Sequence, residues 1–104
     1  MKFQVCVSPR AKAEFEDQLI YLLERSPKGA DAWATVFNST IASLETSPEI
    51  HGLAPESPNH SVDIFQVFFK TKKGYPYRLL YSIEGTEIRI HSVRGVGQDY
   101  IEQE

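Results

Sequence analysis

Cationic side chains gather in residues 75–95, which read YPYRLLYSIEGTEIRIHSVRG. Apolar and polar residues alternate on both sides of Gly85 and Thr86, which predicts a β-hairpin with a two-residue turn. Arginine can hold RNA phosphates, and histidine can exchange a proton with a ribose hydroxyl near neutral pH. One face of the hairpin would carry the polar side chains Arg78, Ser82, Arg89 and His91. Three lysines adjoin this face at the preceding turn: Lys70, Lys72 and Lys73.

A structural role explains the same side chains without any chemistry. Arginines on a solvated sheet face often pair with nearby carboxylates, and Glu84 and Glu87 flank the predicted turn. The structural role is favoured for His91. For Arg78 the two interpretations are closer, because alternation turns this side chain to the face opposite the core.

The register of the hairpin decides where Arg94 lies. With a two-residue turn and regular pairing, Arg78 lies opposite Val93, and Arg94 falls on the apolar side. The same register pairs the residues nearer the turn as Ile83 with Ile88 and Tyr81 with Ile90. A slip or bulge of one residue would bring Arg94 round to join Arg78. The sequence leaves both arrangements open.

No metal-ligand pattern is evident in the sequence. His51 and His60 fall in a proline-rich stretch and His91 on a strand, without a cysteine or paired carboxylate at ligand spacing. The single cysteine, Cys6, lies in a short apolar alternation and is expected to be a buried thiol. We predict neither a metal nor a cofactor.

Length and charge limit the class of protein. The chain has 104 residues and a formal net charge of −3, and we expect one domain over residues 1–104. Residues 64–95 carry six Lys or Arg against two Glu, a net charge of +4, and the other residues carry −7. Such a basic strip could meet a phosphate backbone locally. No apolar run approaches a membrane span or a signal peptide, so the cytoplasm is the expected compartment.

Caps and apolar spacing predict the helices. Residues 3–7 alternate as a short strand, and Ser8-Pro9 and Ser26-Pro27 each read as a helix cap followed by the first helical residue. Two amphipathic helices then follow, which should form an antiparallel hairpin with both apolar stripes on one sheet. The stripes are Phe15, Leu19, Leu22 and Leu23 in the first helix, and Ala30, Trp33, Phe37, Ile41 and Leu44 in the second.

A proline-rich segment separates the helices from the remaining strands. Pro48, Pro55 and Pro58 exclude regular structure over about a dozen residues and predict a loop that wraps the domain. Residues 62–70, VDIFQVFFK, are apolar on both faces, which predicts a central strand covered at least partly on each side. The expected fold is α+β, with an antiparallel helical hairpin on one face of a small, mainly antiparallel sheet of about four strands in the order β-α-α-β-β-β.

The assembled pattern resembles the RelE/ParE superfamily of toxins from bacterial type II toxin-antitoxin, or plasmid stabilisation, systems. The resemblance covers nearly all of the chain. It rests on the order and spacing of five short motifs: the Ser-Pro-x-Ala start at Ser8, SPKGADAW from Ser26, Leu53-Ala54-Pro55-Glu56, Tyr77-Arg78-x-x-Tyr81 and Val93-Arg94-Gly95. It implies the fold derived above. It also implies an antitoxin partner whose extended or helical segment wraps the toxin.

The resemblance assigns roles to single residues. Arg78 matches an arginine that lies in the active groove of ribosome-dependent nucleases, and Arg94 matches an arginine commonly followed by His-Gly. Here Gly95 follows directly, so that histidine is missing, and residues 67–69 are apolar where nuclease members keep basic residues. Tyr100 is the late tyrosine available for proton transfer or stacking, and packing on the sheet edge explains it equally well.

Three functions remain open at this point. The first is a ParE-like toxin that binds DNA gyrase or another protein and performs no chemistry. The second is a RelE-like ribosome-dependent mRNA endoribonuclease, in which Arg78 and Arg94 stabilise the phosphate and His91 or Tyr100 moves protons. The third is a degenerate member that only binds its antitoxin. Whether the chain is an enzyme, and whether it forms a homodimer or a toxin-antitoxin hetero-oligomer, is left open.

Overall fold

The predicted hairpin forms the centre of the sheet in the computed structural model, which describes residues 2–72 and 74–95. Strands β3 (Tyr77–Glu84) and β4 (Glu87–Arg94) pair antiparallel. Gly85 and Thr86 form the turn, and Gly85 has a φ of 66° while Thr86 has a negative φ. A positive φ at the first turn residue alone is the signature of a type II′ hairpin, which explains why glycine stands there.

A β-bulge sets the register of the arginines. Near the turn, Ile83 pairs with Ile88 and Tyr81 with Ile90, as predicted. The register then shifts between Leu80 and Tyr81, so that one extra residue of β4, His91, has no partner opposite it. The predicted pairing of Arg78 with Val93 is therefore wrong, since Arg78 lies opposite Arg94 and Leu79 opposite Val93. A bulge of this kind moves every later residue of the strand to the other face.

Four strands complete a mixed sheet in the order β1-β4-β3-β2. Strand β1 (Gln4–Val7) runs parallel to β4, and β2 (Phe65–Phe69) runs antiparallel to β3. The mainly antiparallel sheet and the chain order β-α-α-β-β-β are confirmed. The central position predicted for residues 62–70 is wrong, because β2 lies at the edge of the sheet and Phe68 is 60% exposed.

A single residue joins the two helices. Helix α1 (Pro9–Arg25) ends and helix α2 (Pro27–Leu44) begins at Ser26. The Ser26 amide donates to the Leu22 carbonyl, and the Ser26 hydroxyl accepts from the Gly29 amide at 3.0 Å. Ser8 caps α1 in the same way through the Ala11 amide. These two caps satisfy backbone groups that a helix end would otherwise leave open, so the chain can reverse without a linker.

Both helices pack on one face of the sheet, where the main core lies. Aromatic rings of the two helices stack there, with Phe15 5.1 Å from Trp33 between centroids and 4.4 Å from Phe37. The predicted stripes supply this core with two exceptions: Leu23 is 47% exposed, and Ala30 is buried but is not part of this cluster. From the sheet come Val67, Phe69, Leu79, Tyr81, Ile88, Ile90 and Val93.

Residues 45–64 wrap round the β2 edge to the opposite face of the sheet, which we call the outer face. Leu53 bridges to Phe65, and the Gln66 amide donates to the Gly52 carbonyl, so this segment lies against the free edge of β2. Beyond it, a second small core forms on the outer face from Ala54, Ile64 and Leu80. The predicted wrapping loop is confirmed. It also contains two 3₁₀ turns, Pro48–Ile50 and Ser57–Asn59, that its prolines were expected to exclude.

Candidate functional site

Arg78 lies on the outer face, as its alternation predicted, but the wrapping segment covers it. Its guanidinium makes a bidentate ion pair with Glu56, at 3.0 Å to Oε1 and 2.8 Å to Oε2. A third hydrogen bond of 3.0 Å goes to Oε1 of Gln66 on β2. The Glu56 side chain is fully buried and that of Arg78 is 14% exposed. Arg78 thus fastens the wrapping segment to the sheet.

Arg94 lies opposite Arg78 in register, yet its guanidinium turns to helix α1. Its Nη1 is 3.6 Å from Oε2 of Glu14, and the Arg94 side chain is 12% exposed. Glu14 also accepts from the Val93 amide at 3.0 Å and the Ser92 hydroxyl at 2.8 Å. Glu14 therefore lies along the edge of β4, beyond the point where the pairing with β1 ends. The bulge brings the two arginines together, but each lies against its own carboxylate.

Arg89 is exposed and sits among carboxylates. Its Nε lies 2.7 Å from Glu87 and 3.7 Å from Glu84, the pairing expected for a structural role. The hydrogen bond from Arg89 lowers the pKa of Glu87, and the bond from the Cys6 thiol acts in the same direction. The same hydrogen bond, from the Cys6 thiol to the Glu87 carboxylate, raises the pKa of Cys6. Cys6 is only half-buried, so the prediction of a buried thiol is wrong.

His91, the extra residue of the bulge, contacts Ser82 on the outer face. The Ser82 hydroxyl donates to Glu84 at 2.8 Å and lies 2.8 Å from Nε2 of His91. Because the only hydroxyl proton goes to Glu84, Nε2 of His91 is the donor in this contact. The ring of His60 lies 6.4 Å from that of His91 between centroids. The predicted sharing of a face by Ser82, Arg89 and His91 therefore holds.

Of the three predicted lysines, the structure describes Lys70 and Lys72. Lys70 and Lys72 are exposed at the end of β2 and in the turn that follows. Lys73 and Tyr100 lie outside the described residues. Over residues 2–72 and 74–95, no three His, Cys, Asp or Glu side chains are grouped to hold a metal ion. None of the described helices is long and apolar enough to cross a membrane.

The electrostatics of the outer face differ from those of an open phosphate site. Arg78, Arg89 and Arg94 all contact carboxylates, so their charges are compensated within the chain. Lys70 and Lys72 remain as exposed point charges on flexible stems. The arrangement can bind an acidic surface weakly, and His91 can donate a proton at the sheet surface.

Sequence reasoning missed the two carboxylates that organise this face. Glu56 lay in a motif that supported the family resemblance, and no role was assigned to it. Glu14 lies among the apolar stripe residues of α1 in the sequence, and nothing in their spacing singles it out. The available signal was physical: an arginine on a strand beneath a covering loop requires a carboxylate partner, and Glu56 is an acidic residue of that loop.

Comparison with known proteins gives a match in structure but none in sequence. No protein-family model matches the chain, and no curated protein matches its sequence. A solved structure described as "Chromosomal ParDE TA system from P. aeruginosa" contains a chain of the same fold, with a TM-score of 0.71. The match covers 91% of this chain and 97% of the other, at 14% sequence identity. At that identity the likeness concerns the fold, and it confirms the RelE/ParE-like architecture that the resemblance implied.

Proposed function

We propose that this protein is the toxin of a bacterial type II toxin-antitoxin module and acts in the ParE-like manner. It would inhibit growth by binding an essential protein such as DNA gyrase, and a cognate antitoxin would neutralise it. The fold likeness to a chain of a ParDE toxin-antitoxin structure supports the module. The observation that carries the choice of mechanism is the buried bidentate pair of Arg78 with Glu56.

That pair argues against phosphate chemistry at Arg78. A scissile phosphate needs a preorganised cation that is not already neutralised. To reach Arg78, RNA would have to displace a fully buried carboxylate held by two hydrogen bonds. Arg94 likewise faces the Glu14 carboxylate. A toxin that blocks a protein by binding it needs neither arginine to be open.

A ribosome-dependent nuclease is the second candidate, and His91 is the observation that favours it. The histidine is only half-buried and donates to Ser82, which in turn donates to Glu84. Such a chain can hold a histidine in one tautomer and orientation for proton transfer. Lys70 and Lys72 would then supply the cations. The cytoplasm, where both gyrase and ribosomes are found, is the proposed compartment for either candidate.

Controlled induction in a bacterial host separates the two candidates. We expect growth arrest with gyrase-dependent DNA breakage and an SOS response, and no new mRNA ends at ribosomal A sites. The His91→Gln variant keeps a hydrogen-bonding side chain, and we expect it to arrest growth as the parent does. Arg78 variants are unsuitable for this purpose, because loss of the ion pair destabilises the fold.

The same experiment can also contradict the gyrase mechanism. Ribosome-dependent mRNA cleavage that disappears in His91→Gln, with no DNA breakage, would establish the nuclease and overturn the gyrase mechanism. Harmless induction would indicate a degenerate protein. Co-expression of a neighbouring short gene for a DNA-binding protein should relieve arrest if that gene encodes the antitoxin.

A further inference from the structure

A groove runs between helix α1 and the end of the sheet nearest the β2–β3 turn. It consists of a larger cavity of about 540 Å³ and an adjoining one of about 290 Å³. The volume of the larger cavity lies within the range of sites that take a ligand or an anchoring side chain. The two cavities share Gln18, Tyr21, Tyr77 and Gly95.

Trp33 forms part of the wall of the larger cavity. Its side chain is 2% exposed, and its Nε1 is buried with no hydrogen-bond partner in the described part of the chain. The ring itself is fixed, since it packs 5.1 Å from Phe15 and 5.4 Å from Tyr77 between centroids. The fixed ring therefore gives the cavity a rigid apolar wall.

The mouth of the groove is apolar and exposed. Tyr75 is 78% exposed and Tyr21 is 48% exposed, and both line the larger cavity. Apolar side chains that surround a cavity in this way mark a surface that binds another protein rather than a small ion.

The charge of the groove selects among protein occupants. Asp17 and Glu14 line the smaller cavity. Glu14 is compensated by Arg10 and Arg94, whereas Asp17 has no ion pair within residues 2–72 and 74–95. An occupant with a lysine or arginine beside its apolar side chain would therefore complement the groove. Residues 96–104, VGQDYIEQE, contain three acidic and no basic residues, so this segment of the chain does not fit that charge.

We propose that the groove binds a partner-protein segment that carries an apolar side chain and a nearby lysine or arginine. The apolar side chain enters the larger cavity and packs on the ring of Trp33. The cationic side chain lies beside Asp17. The identification of this partner with the antitoxin rests on the proposed function, whereas the chemistry of the groove does not depend on it.

Selection of peptides against the full chain tests the proposal directly. A phage library of random 12-residue peptides is the probe, and enriched peptides are synthesised and titrated by fluorescence polarisation. We expect them to combine an apolar residue with lysine or arginine. Because Trp33 is the only tryptophan, its emission should shift on binding. Failure to enrich any peptide, or enrichment of acidic ones, overturns the proposal.

Two substitutions test the named contacts. Asp17→Asn should weaken binding about two- to fivefold, as for an exposed ion pair, while Asp31→Asn on the exposed side of α2 should leave it unchanged. Tyr75→Ser removes the most exposed ring that lines the larger cavity, and should weaken binding about two- to tenfold. Equal binding by the parent and both groove variants contradicts the assigned contacts.

Truncation after Gly95 distinguishes a partner segment from the chain's own end. If residues 96–104 filled the groove, the truncated chain would bind peptides more tightly and show a shifted Trp33 emission without peptide. We expect neither. Binding of apolar and basic peptides by a chain that fails to arrest growth would retain this groove and refute only the toxin function.

Discussion

The ion pair of Arg78 and Glu56 is strong because it is bidentate and its carboxylate is fully out of water. Arginine and carboxylate geometries match in this arrangement, and charge-assisted hydrogen bonds are about twice as strong as neutral ones. The pair also joins two distant parts of the chain, since Glu56 belongs to the wrapping segment and Arg78 to β3. Because Arg78 and Glu56 join these two parts of the chain, the fold constrains both residues whether or not they have a further function.

Removing one partner of the pair should destabilise the fold strongly. We expect Glu56→Gln and Arg78→Met each to lower the free energy of unfolding by about 3 kcal/mol, because each leaves a buried charge without compensation. The double variant should lose less than the sum of the two. Urea unfolding followed by Trp33 fluorescence measures these values.

Arg89→Met is the matched control for the Arg78 variant. Its ion pairs are exposed, with 56% of the Arg89 side chain accessible, so the expected loss is small compared with that of Arg78→Met. If Arg78→Met is as mild as Arg89→Met, the pair with Glu56 does not hold the wrapping segment in solution.

At the scale of elements, the hairpin shows what alternation can and cannot predict. The turn and the pairing as far as Tyr81 and Ile90 follow from period-two spacing and a glycine at the first turn position. The bulge at His91 does not, because no residue type there distinguishes a regular strand from a bulged one. The reason for it is tertiary: Glu14 of α1 binds the Val93 amide and Ser92 hydroxyl just after the shift.

A pair of glycines tests the turn geometry. An added Cβ at Gly85 or at Gly52 would meet nothing within 4 Å, and the two positions differ in that only Gly85 has a positive φ. Gly85→Ala should therefore lower stability by about 1 kcal/mol, whereas Gly52→Ala should be neutral or slightly stabilising. Thermal unfolding of both variants gives the comparison. Equal effects would refute the backbone explanation.

At the scale of the whole molecule, the sequence predicted the helix layer and the sheet layer better than it predicted how the segment between them covers the sheet. Caps and apolar stripes predicted two helices on one face, and prolines predicted a loop that wraps. The edge position of β2 was not predicted, since an apolar run on both faces reads as a central strand. The second core lies on Ile64, which precedes β2, and on Leu80 of β3. The outward-facing residues of β2 itself are Gln66, which binds Arg78, and Phe68, which is 60% exposed.

Tyr81 links this wrapping to the main core and makes stability depend on alkaline pH. Its hydroxyl donates to the Pro48 carbonyl at 2.7 Å, and its side chain is fully buried. Burial raises the pKa of Tyr81 to about 12, against an ordinary value of about 10. Between these values the unfolded chain releases the proton while the folded chain keeps it. The free energy of unfolding should thus be unaffected below pH ~10 and fall by up to about 2 to 3 kcal/mol as the pH approaches 12.

The Tyr81→Phe variant isolates this effect from the other groups that titrate in the same range. At pH 8 it should be less stable than the parent by about 1 kcal/mol, because the bond to Pro48 is lost. Lysines and the remaining tyrosines titrate in both proteins, so the difference between them reports Tyr81. That difference should shrink above pH ~10 and reverse sign at about pH 10.7 in urea unfolding experiments. A difference that stays constant over this range would mean that the Tyr81 hydroxyl is hydrated, and that the segment after α2 does not seal the core as the structure indicates.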